Sequence, residues 1–519
     1  MTLLIKVKLR IVLSVLVISL MGVMHAQNLI VDAIEEQFIT LQLNSGANIS
    51  NIRDVRQGIN IDLKHMELLD DRYRRLNGLE AGKIYQLYLT DGSQHFIATK
   101  SMSSGEMKVY FNNEVDESFS DGSVNNGTTI GVLERDLINL INRANISIDF
   151  CSYNTSRISI VNALRDAYAR GVQVRVIADD ETSNYGWEDN PPFPVVKGNQ
   201  GDDLMHNKFM IIDADEMDDS WVITGSMNYT ENQMESDPNH LIWIQDKSLA
   251  QAYTLEFEEM WGSNGPQPNI SAGKWGRDKN DNTPHRFNIN GTMVELYFSP
   301  SDNTALHIGE ALKTGDYEIN CGLLLFTYYD LRDILIDEHR DGTKVRLIIE
   351  DTGTSSGIIN DLEAEGIPVI DHPPSQQFHH KYAIVDEGRN SDAIVITGSH
   401  NWSYSADNYN DENTLIIYSQ SIANIFKQEF QRWWGAFSTS TDEVENPKNY
   451  RIYPNPSHDR ILISGPTLIN TVSLIDMTGK EVLNKKIKAY NWSIDLRNLN
   501  KGLYLLKIND HMVEKIIKI

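Results

Sequence analysis

The chain has 519 residues, 41% of them hydrophobic, a formal net charge of -26 and two cysteines. This length admits three or four domains with ordinary apolar cores, and so few cysteines exclude a disulfide-stapled scaffold. The acidic balance, with no basic run after the N-terminus, argues against a protein that grips nucleic acid along its backbone.

Residues 1–26 read as a secretory signal. Lys6, Lys8 and Arg10 precede an apolar run from Ile11 to Met24, and His25-Ala26 offers a cleavage end. The run is short of the ~20 residues that span a bilayer, so cleavage is expected rather than a membrane anchor. Residues 28–104 alternate short apolar runs with turns (FITLQL, NIDL, YQLYL, HFIATK) and predict a β-sandwich without chemistry of its own.

Strands and helices then alternate. The first half, residues 105–264, runs MKVYFN, VLERDLINLINRA, ISIDFC, ISIVNALRDAYARG, VQVRVIADD. The second, residues 291–437, runs VELYFS, ALHIGEALKTG, YEINC, LRDILIDEHRDG, KVRLIIED. This succession predicts mixed sheets with helices outside them, an α/β class. Residues 265–290, rich in Gly, Pro and Asn, read as a linker or surface excursion. Cys151 and Cys321 lie on the strand that starts each half and are expected as two buried small side chains. Residues 438–449 read as a second linker. Residues 450–519 show short strands and glycine turns that predict another small β-sandwich.

Within the two halves one stretch recurs. HNKFMIID, His206 to Asp213, is followed by TGSMN, Thr224 to Asn228; HHKYAIVD, His379 to Asp386, is followed by TGSHN, Thr397 to Asn401. The offset is 173 residues and holds without a gap to Phe257/Phe430 and Trp261/Trp434, which makes the pair an internal duplication. Period two places His and Lys on one face of a strand. The apolar residues after each Lys predict a strand buried on both faces. Each copy supplies a His, a Lys and an Asn, which together suit a phosphoryl group. The two His offer a nucleophile and an acid near neutral pH. Lys208 and Lys381 offer charge, Asn228 and Asn401 amide hydrogen bonds, and Ser226 and Ser399 hydroxyls as phosphate-binding support. Asp213 and Asp386 are expected to tie the turn, and Gly225 and Gly398 to let a ligand approach the backbone. No metal and no cofactor is expected, because two Lys supply the charge and the acidic residues show no metal-ligand spacing.

HxKxxxxD followed by GSxN, present twice, resembles the phospholipase D superfamily of phosphodiesterases over roughly residues 105–435. The resemblance implies two halves related by a pseudo-twofold axis, a composite site in one chain competent as a monomer, and a phosphohistidine intermediate on one His while the other protonates the leaving group and then activates water. Family members carry a carboxylate or amide about eleven residues after the GSxN asparagine, behind the His of the opposite half. That register gives Glu412 behind His206 and Asn239 behind His379, with His206 the expected nucleophile and His379 the general acid and base. GLEAGKIYQLYL resembles a strand region of fibronectin type III domains. YPNPSHDRILI, VSLIDMTGKEVL and GLYLLKI resemble the C-terminal sorting domain of the type IX secretion system. That likeness implies export through the periplasm and outer membrane, with the secretion machinery as a partner.

The loop ADDETSNYGWEDN is acidic and carries Tyr185 and Trp187. At the mouth of a site, its charge would disfavour a polyanion and its rings would meet a cationic head group; as an ordinary solvated loop it would do neither. The expected function is an exported phospholipase D-type hydrolase of phospholipid head-group diesters that meets a membrane surface only as substrate. A secreted metal-independent endonuclease is the alternative, and a surface binding protein with a retired core is the third.

Overall fold

In the computed structural model the described residues are 29–437 and 451–518, apart from 45, 125–130, 199–202, 352, 373–375 and 389–391 in the first stretch and 454, 456, 477–479, 498 and 509–510 in the second. The leader reading at 1–26 and the linker reading at 438–449 fall outside them. The chain divides into two units, residues 1–437 and 438–519.

The first seven strands are β1 (Leu29–Ile34), β2 (Phe38–Leu43), β3 (Ile49–Asp54), β4 (Met66–Leu68), β5 (Tyr73–Asn77), β6 (Ile84–Leu89) and β7 (Gln94–Ala98). They form two sheets, β1-β2-β5-β4 and β3-β6-β7. Alternate residues of both close one core, with Ile39, Leu41 and Leu76 facing Ile52, Tyr85 and Leu87. This four-plus-three order is that of an immunoglobulin constant-type sandwich.

Each half repeats one sheet. In the first, β8 (Met107–Phe111), β9 (Ser147–Ser152), β10 (Gln173–Asp179), β11 (Val195–Gly198), β12 (Lys208–Ile212), β13 (Trp221–Gly225) and β14 (His240–Gln245) take the order β11-β10-β9-β12-β13-β14-β8. In the second, β15 (Arg286–Ile289), β16 (Thr292–Ser299), β17 (Glu318–Leu323), β18 (Lys344–Ile349), β19 (Val369–Asp371), β20 (Lys381–Val385), β21 (Ile394–Gly398) and β22 (Glu412–Tyr418) take the order β15-β16-β22-β21-β20-β17-β18-β19. Without β15 the two orders are the same. Helices α1 (Val132–Arg143) and α2 (Ile158–Ala169) cover the outer face of the first sheet. Short α3 (Glu231–Glu235) follows β13. Helices α5 (Thr304–Leu312), α6 (Tyr329–Asp341) and α7 (Ser356–Ala364) cover the second, and short α8 (Tyr404–Asn408) follows β21. The long helix that ends each repeat, α4 (Lys247–Trp261) or α9 (Gln420–Phe437), joins a central core fed by both sheets. The continuous apolar runs of the motif strands follow from this burial on both faces.

Several repeated residues prove to be structural. Asp213 and Asp386 sit in the left-handed region at φ 48° and 53°. Each carboxylate accepts three successive backbone N–H groups, from Asn145, Ile146 and Ser147 in one half and Asp316, Tyr317 and Glu318 in the other. Gly225 and Gly398 are required by a neighbouring strand and not by a ligand: a Cβ would meet His240 O at 2.3 Å or Asn413 O at 2.1 Å. The repeated Phe257, Trp261, Phe430 and Trp434 lie under buried guanidinium groups, Arg175 in one half and Arg346 in the other.

Residues 265–290 correct the linker reading. They form a strap held on the core: Trp275 packs against the central core, Lys279 is buried, and β15 extends the second sheet. Arg286 and Asn288 donate to Val31 O and Ile34 O of the sandwich. The small polar residues that suggested a loop are what let the strap lie flat. Gly273 of the strap, for example, lies where a Cβ would meet Met260 O at 2.5 Å, and Gly198 on β11 leaves room for the Trp275 ring. Cys151 and Cys321 are free and buried, as expected.

The C-terminal unit consists of strands, β23 (Arg451–Tyr453), β24 (Arg460–Asp476), β25 (Glu481–Asp495), β26 (Gly502–Ile508) and β27 (His511–Lys518). They are hydrogen-bonded through the long, bulged β24.

Replacing Asp213 by Ala removes three charge-assisted acceptor bonds and puts Ala in the left-handed region. Denaturant unfolding should show a loss of about 3 kcal/mol, while the turnover of the folded fraction stays at the wild-type level. Turnover lost with stability intact would return this Asp to the reacting groups.

Candidate active site

The motif strands β12 and β20 begin at Lys208 and Lys381 and pair with β9 and β17, Lys208 opposite Ser152 and Lys381 opposite Leu323. The histidines lie two residues ahead, where the chain crosses to the other half: His206 N donates to Asp411 O at 3.0 Å and His379 N to Pro238 O at 2.9 Å. Each half therefore places the other's histidine.

All four side chains are buried, Lys208 completely and Lys381 to within 2%. Lys208 Nζ donates to His206 O at 2.7 Å and Lys381 Nζ to His379 O at 3.0 Å. Burial is the main cause of every shift here. It carries both imidazoles well below the ordinary range, and the two lysines press each of them further down. It also lowers Lys208 to about 7 and Lys381 well below the ordinary ammonium range, Lys208 adding to the latter effect. These mutual influences, which fall off with distance, place both histidines and both lysines in one desolvated cleft.

The carboxylate position holds as expected on one side. His206 Nδ1 lies 2.8 and 2.9 Å from the two Glu412 oxygens. Burial pushes Glu412 up to about 7, against the pull of Lys208. With both groups shifted this way, the site holds a neutral imidazole donating Nδ1–H to the carboxylate, which leaves Nε2 as the reactive nitrogen.

The other side differs. His379 Nδ1 donates to the backbone oxygen of Ser226 at 2.9 Å, and Asn239 spends its side-chain hydrogen bonds elsewhere. The Asn239 amide donates instead to Gln233 O and Asp237 O and accepts from the Ser226 hydroxyl. An amide has donors of its own to satisfy, and the turn beside it offers carbonyls. A carboxylate has none, and turns to the imidazole.

Two further readings are corrected. Ser399 and Ser226 are committed within the protein, Ser399 donating to Glu412 Oε2 at 2.6 Å and Ser226 to Asn239 Oδ1 at 3.3 Å, so they brace the groups behind the histidines rather than support phosphate. Trp187 is 4% exposed and belongs to the outer core beside Phe150 and Phe193. Its apolar ring fills space under a 3-10 turn and is not a rim group. Tyr185, on the same turn, is 61% exposed. The amides of Asn228 and Asn401 make no protein hydrogen bond among the described residues, with Oδ1 of each buried. They are among the polar groups left for a ligand.

Sequence reasoning missed Tyr153. It follows the strand that pairs with β12, its ring centroid 4.7 Å from that of His206 and 4.9 Å from Lys208 Nζ. Its signal was positional, one residue past the ISIDFCS strand. Also missed was a buried polar layer below the site. His240 Nδ1 meets His380 Nδ1 at 2.9 Å on the second side, while Asn413 Nδ2 donates to Asn207 Oδ1 at 2.8 Å at the matching positions of the first.

Comparison with known proteins adds the following. Residues 137–261 and again 308–434 match the family described as "Cardiolipin synthase, PLD-like domain", and residues 451–519 match "Secretion system C-terminal sorting domain". The mitochondrial cardiolipin hydrolase of Xenopus tropicalis is 29% identical over 134 residues, 25% of this chain and 61% of that protein. The phospholipase D of Rickettsia felis is 32% identical over 132 residues, 25% of this chain and 64% of that protein. The chain thus spans less than two thirds of these curated relatives. Among solved structures, the phospholipase D family member Nuc from Salmonella typhimurium is 26% identical, covering 27% of this chain and 93% of that one at a TM-score of 0.25.

The shifts set a pH profile. Below about 7 Glu412 is protonated and cannot stabilise an imidazolium; above about 7 Lys208 loses its charge. Since kcat/KM reports the free enzyme, its profile should be a narrow bell near neutrality. Glu412→Gln should remove the acid limb and lower the rate on the order of 10²-fold. An acid limb that survives this substitution would assign it to another group.

Proposed function

From a core that is a tandem of phospholipase D-like domains, followed by a secretion sorting domain, we propose an exported phosphodiesterase that hydrolyses phospholipid head-group diesters. The observation that carries this reading is the unequal pair of histidines in one desolvated cleft, one backed by a carboxylate and the other by a backbone carbonyl.

His206 Nε2 attacks phosphorus, and a P–N bond replaces the P–O bond to the leaving alcohol. Glu412 stabilises the positive charge that His206 acquires and fixes its tautomer. The anionic diester favours the cationic form of His379, which takes up a proton on Nε2 as substrate binds and gives it to the leaving oxygen, then takes one from the water that breaks the P–N bond and restores His206. Lys208 and Lys381 offset the charge on the phosphoryl oxygens, and the amides of Asn228 and Asn401 donate to them. The two ammonium groups supply the charge that a divalent ion supplies elsewhere.

A lipid diester is favoured over nucleic acid by two observations. The curated relatives are named for cardiolipin and phospholipid. The segments leading to the histidines are held by acids: Asp179 accepts Met205 N, Glu350 accepts Phe378 N and Asp237 accepts Gln377 N. Such acids repel a chain of phosphates but not a single diester with a neutral or cationic alcohol. The sorting domain supports delivery to the cell surface or medium by its secretion machinery, with the enzyme acting as a monomer.

Turnover on vesicles of phosphatidylcholine, phosphatidylethanolamine or cardiolipin should exceed cleavage of plasmid and single-stranded DNA and should persist in EDTA. Preferred cleavage of DNA would replace the lipid reading by the endonuclease, and no turnover on either would retire the catalytic reading. With a nitrophenyl phosphodiester, whose leaving group needs little protonation, quenched His379→Ala protein should carry phosphate on His206, and His206→Ala should carry none. Phosphate on His379 of the wild type would reverse the two roles.

A further inference from the structure

The helix that ends each repeat carries a buried glutamate at the same position, Glu256 on α4 and Glu429 on α9. In the second half the motif strand itself answers it: Tyr382 donates its hydroxyl to Glu429, and His380 Nε2 lies 3.0 Å away. The matching residues of the first half are Phe209 and Asn207, which bring no cation. Glu256 is met instead by Lys279, a fully buried side chain that enters from the strap.

The same ammonium lies 3.1 Å from Asp411 Oδ1, which also accepts Gly276 N of the strap at 2.8 Å. Asp411 immediately precedes Glu412. Its carbonyl accepts His206 N at 3.0 Å, and its own N–H donates to Leu204 O at 2.8 Å. One cation therefore ties a helix of the first half to the corner of the second that presents Glu412 to His206. It also offsets the Asp411 carboxylate, which otherwise stands as a like charge beside Glu412. Burial pushes both acids of this triad up, Lys279 pulls both back down, and together the two acids hold Lys279 protonated.

We propose that Lys279 is a positioning residue for the reaction: it fixes the Asp411–Glu412 corner behind His206 and offsets the like charge that Asp411 brings beside Glu412, a carboxylate that Lys208, Lys381 and His400 also face. The proposal rests on the reading of His206 and Glu412 as a reacting pair. A purely structural clamp would alter stability and leave the pH profile in place.

Two full-chain variants pull the profile in opposite directions. Asp411→Asn removes the like charge at constant size and keeps the Lys279–Glu256 pair; the acid limb of kcat/KM should move down by about half a unit to one unit. Lys279→Met/Glu256→Gln removes one charge of each sign and leaves Asp411 without its ammonium. The limb should then move up by a similar amount, with kcat lowered about tenfold and KM within about threefold. Folded variants whose limbs coincide with the wild type would overturn the proposal. Should the double variant fail to fold, Asp411→Asn alone decides, by the presence or absence of its downward shift. Selective 15N-imidazole NMR titration of His206 in the same proteins reads the same shifts without turnover. An inactive wild type with shifting titrations would therefore sink the functional reading and leave the clamp standing, and titrations that coincide would sink the clamp.

Discussion

Two lysine amines are buried in one site with one carboxylate close by, each held below its ordinary basicity, and the rest of the core has to withstand that. An unpaired buried cation costs several kcal/mol, and here Lys208 and Lys381 each have a backbone carbonyl of their own motif as the main hydrogen-bond partner. Such an arrangement persists only where the surroundings leave it no way to relax. The surroundings are two motif strands buried along their whole length, each tied at its far end by an aspartate that gathers three backbone N–H groups. Beyond them, guanidinium groups are clamped between acids and aromatic rings in each half. An entering anion restores the charge that burial suppresses on these groups and meets donors already in place, without reorganisation at the moment of reaction.

The parts that could be read from the sequence alone are those with a period. Alternation put His and Lys together, and the apolar runs announced doubly buried strands; Glu412 behind the other half's histidine came from the resemblance to the phospholipase D superfamily, with the ungapped offset matching it to Asn239. The failures share a cause, which is that a matching position does not enforce a matching contact. Asn239 occupies the place of Glu412 but is an amide beside a turn with open carbonyls, so it turns to them and Ser226 O takes its role. Trp187 looked like a rim group because its neighbours are acidic, yet the indole is what its turn packs on. The strap was misread by composition: Gly and Pro mark it as a loop, and nothing local reveals that Lys279 within it ends against two acids distant in sequence. Tyr153 reaches the site through a strand pairing that no motif encodes.

The sheets repeat faithfully while the polar layer beneath them does not. Asn413 and Asn207 meet as amides on the side of His206, where His240 and His380 meet as imidazoles on the side of His379. Glu256 is answered by a lysine and Glu429 by a histidine and a tyrosine. Shape is conserved between the halves where packing demands it, and chemistry has diverged where only charge balance does.

That divergence depends on the covalent join. Two separate copies of one half, paired about a twofold axis, would present the same residues on both sides of the cleft, and any substitution improving one histidine as a nucleophile would be imposed on its twin as an acid. Fusion lifts that restriction. Each copy is free to acquire substitutions suited to a single role, and the segment joining them is free to contribute a residue found in neither. A site assembled this way is committed to one direction of use, since exchanging its two sides no longer returns the same molecule.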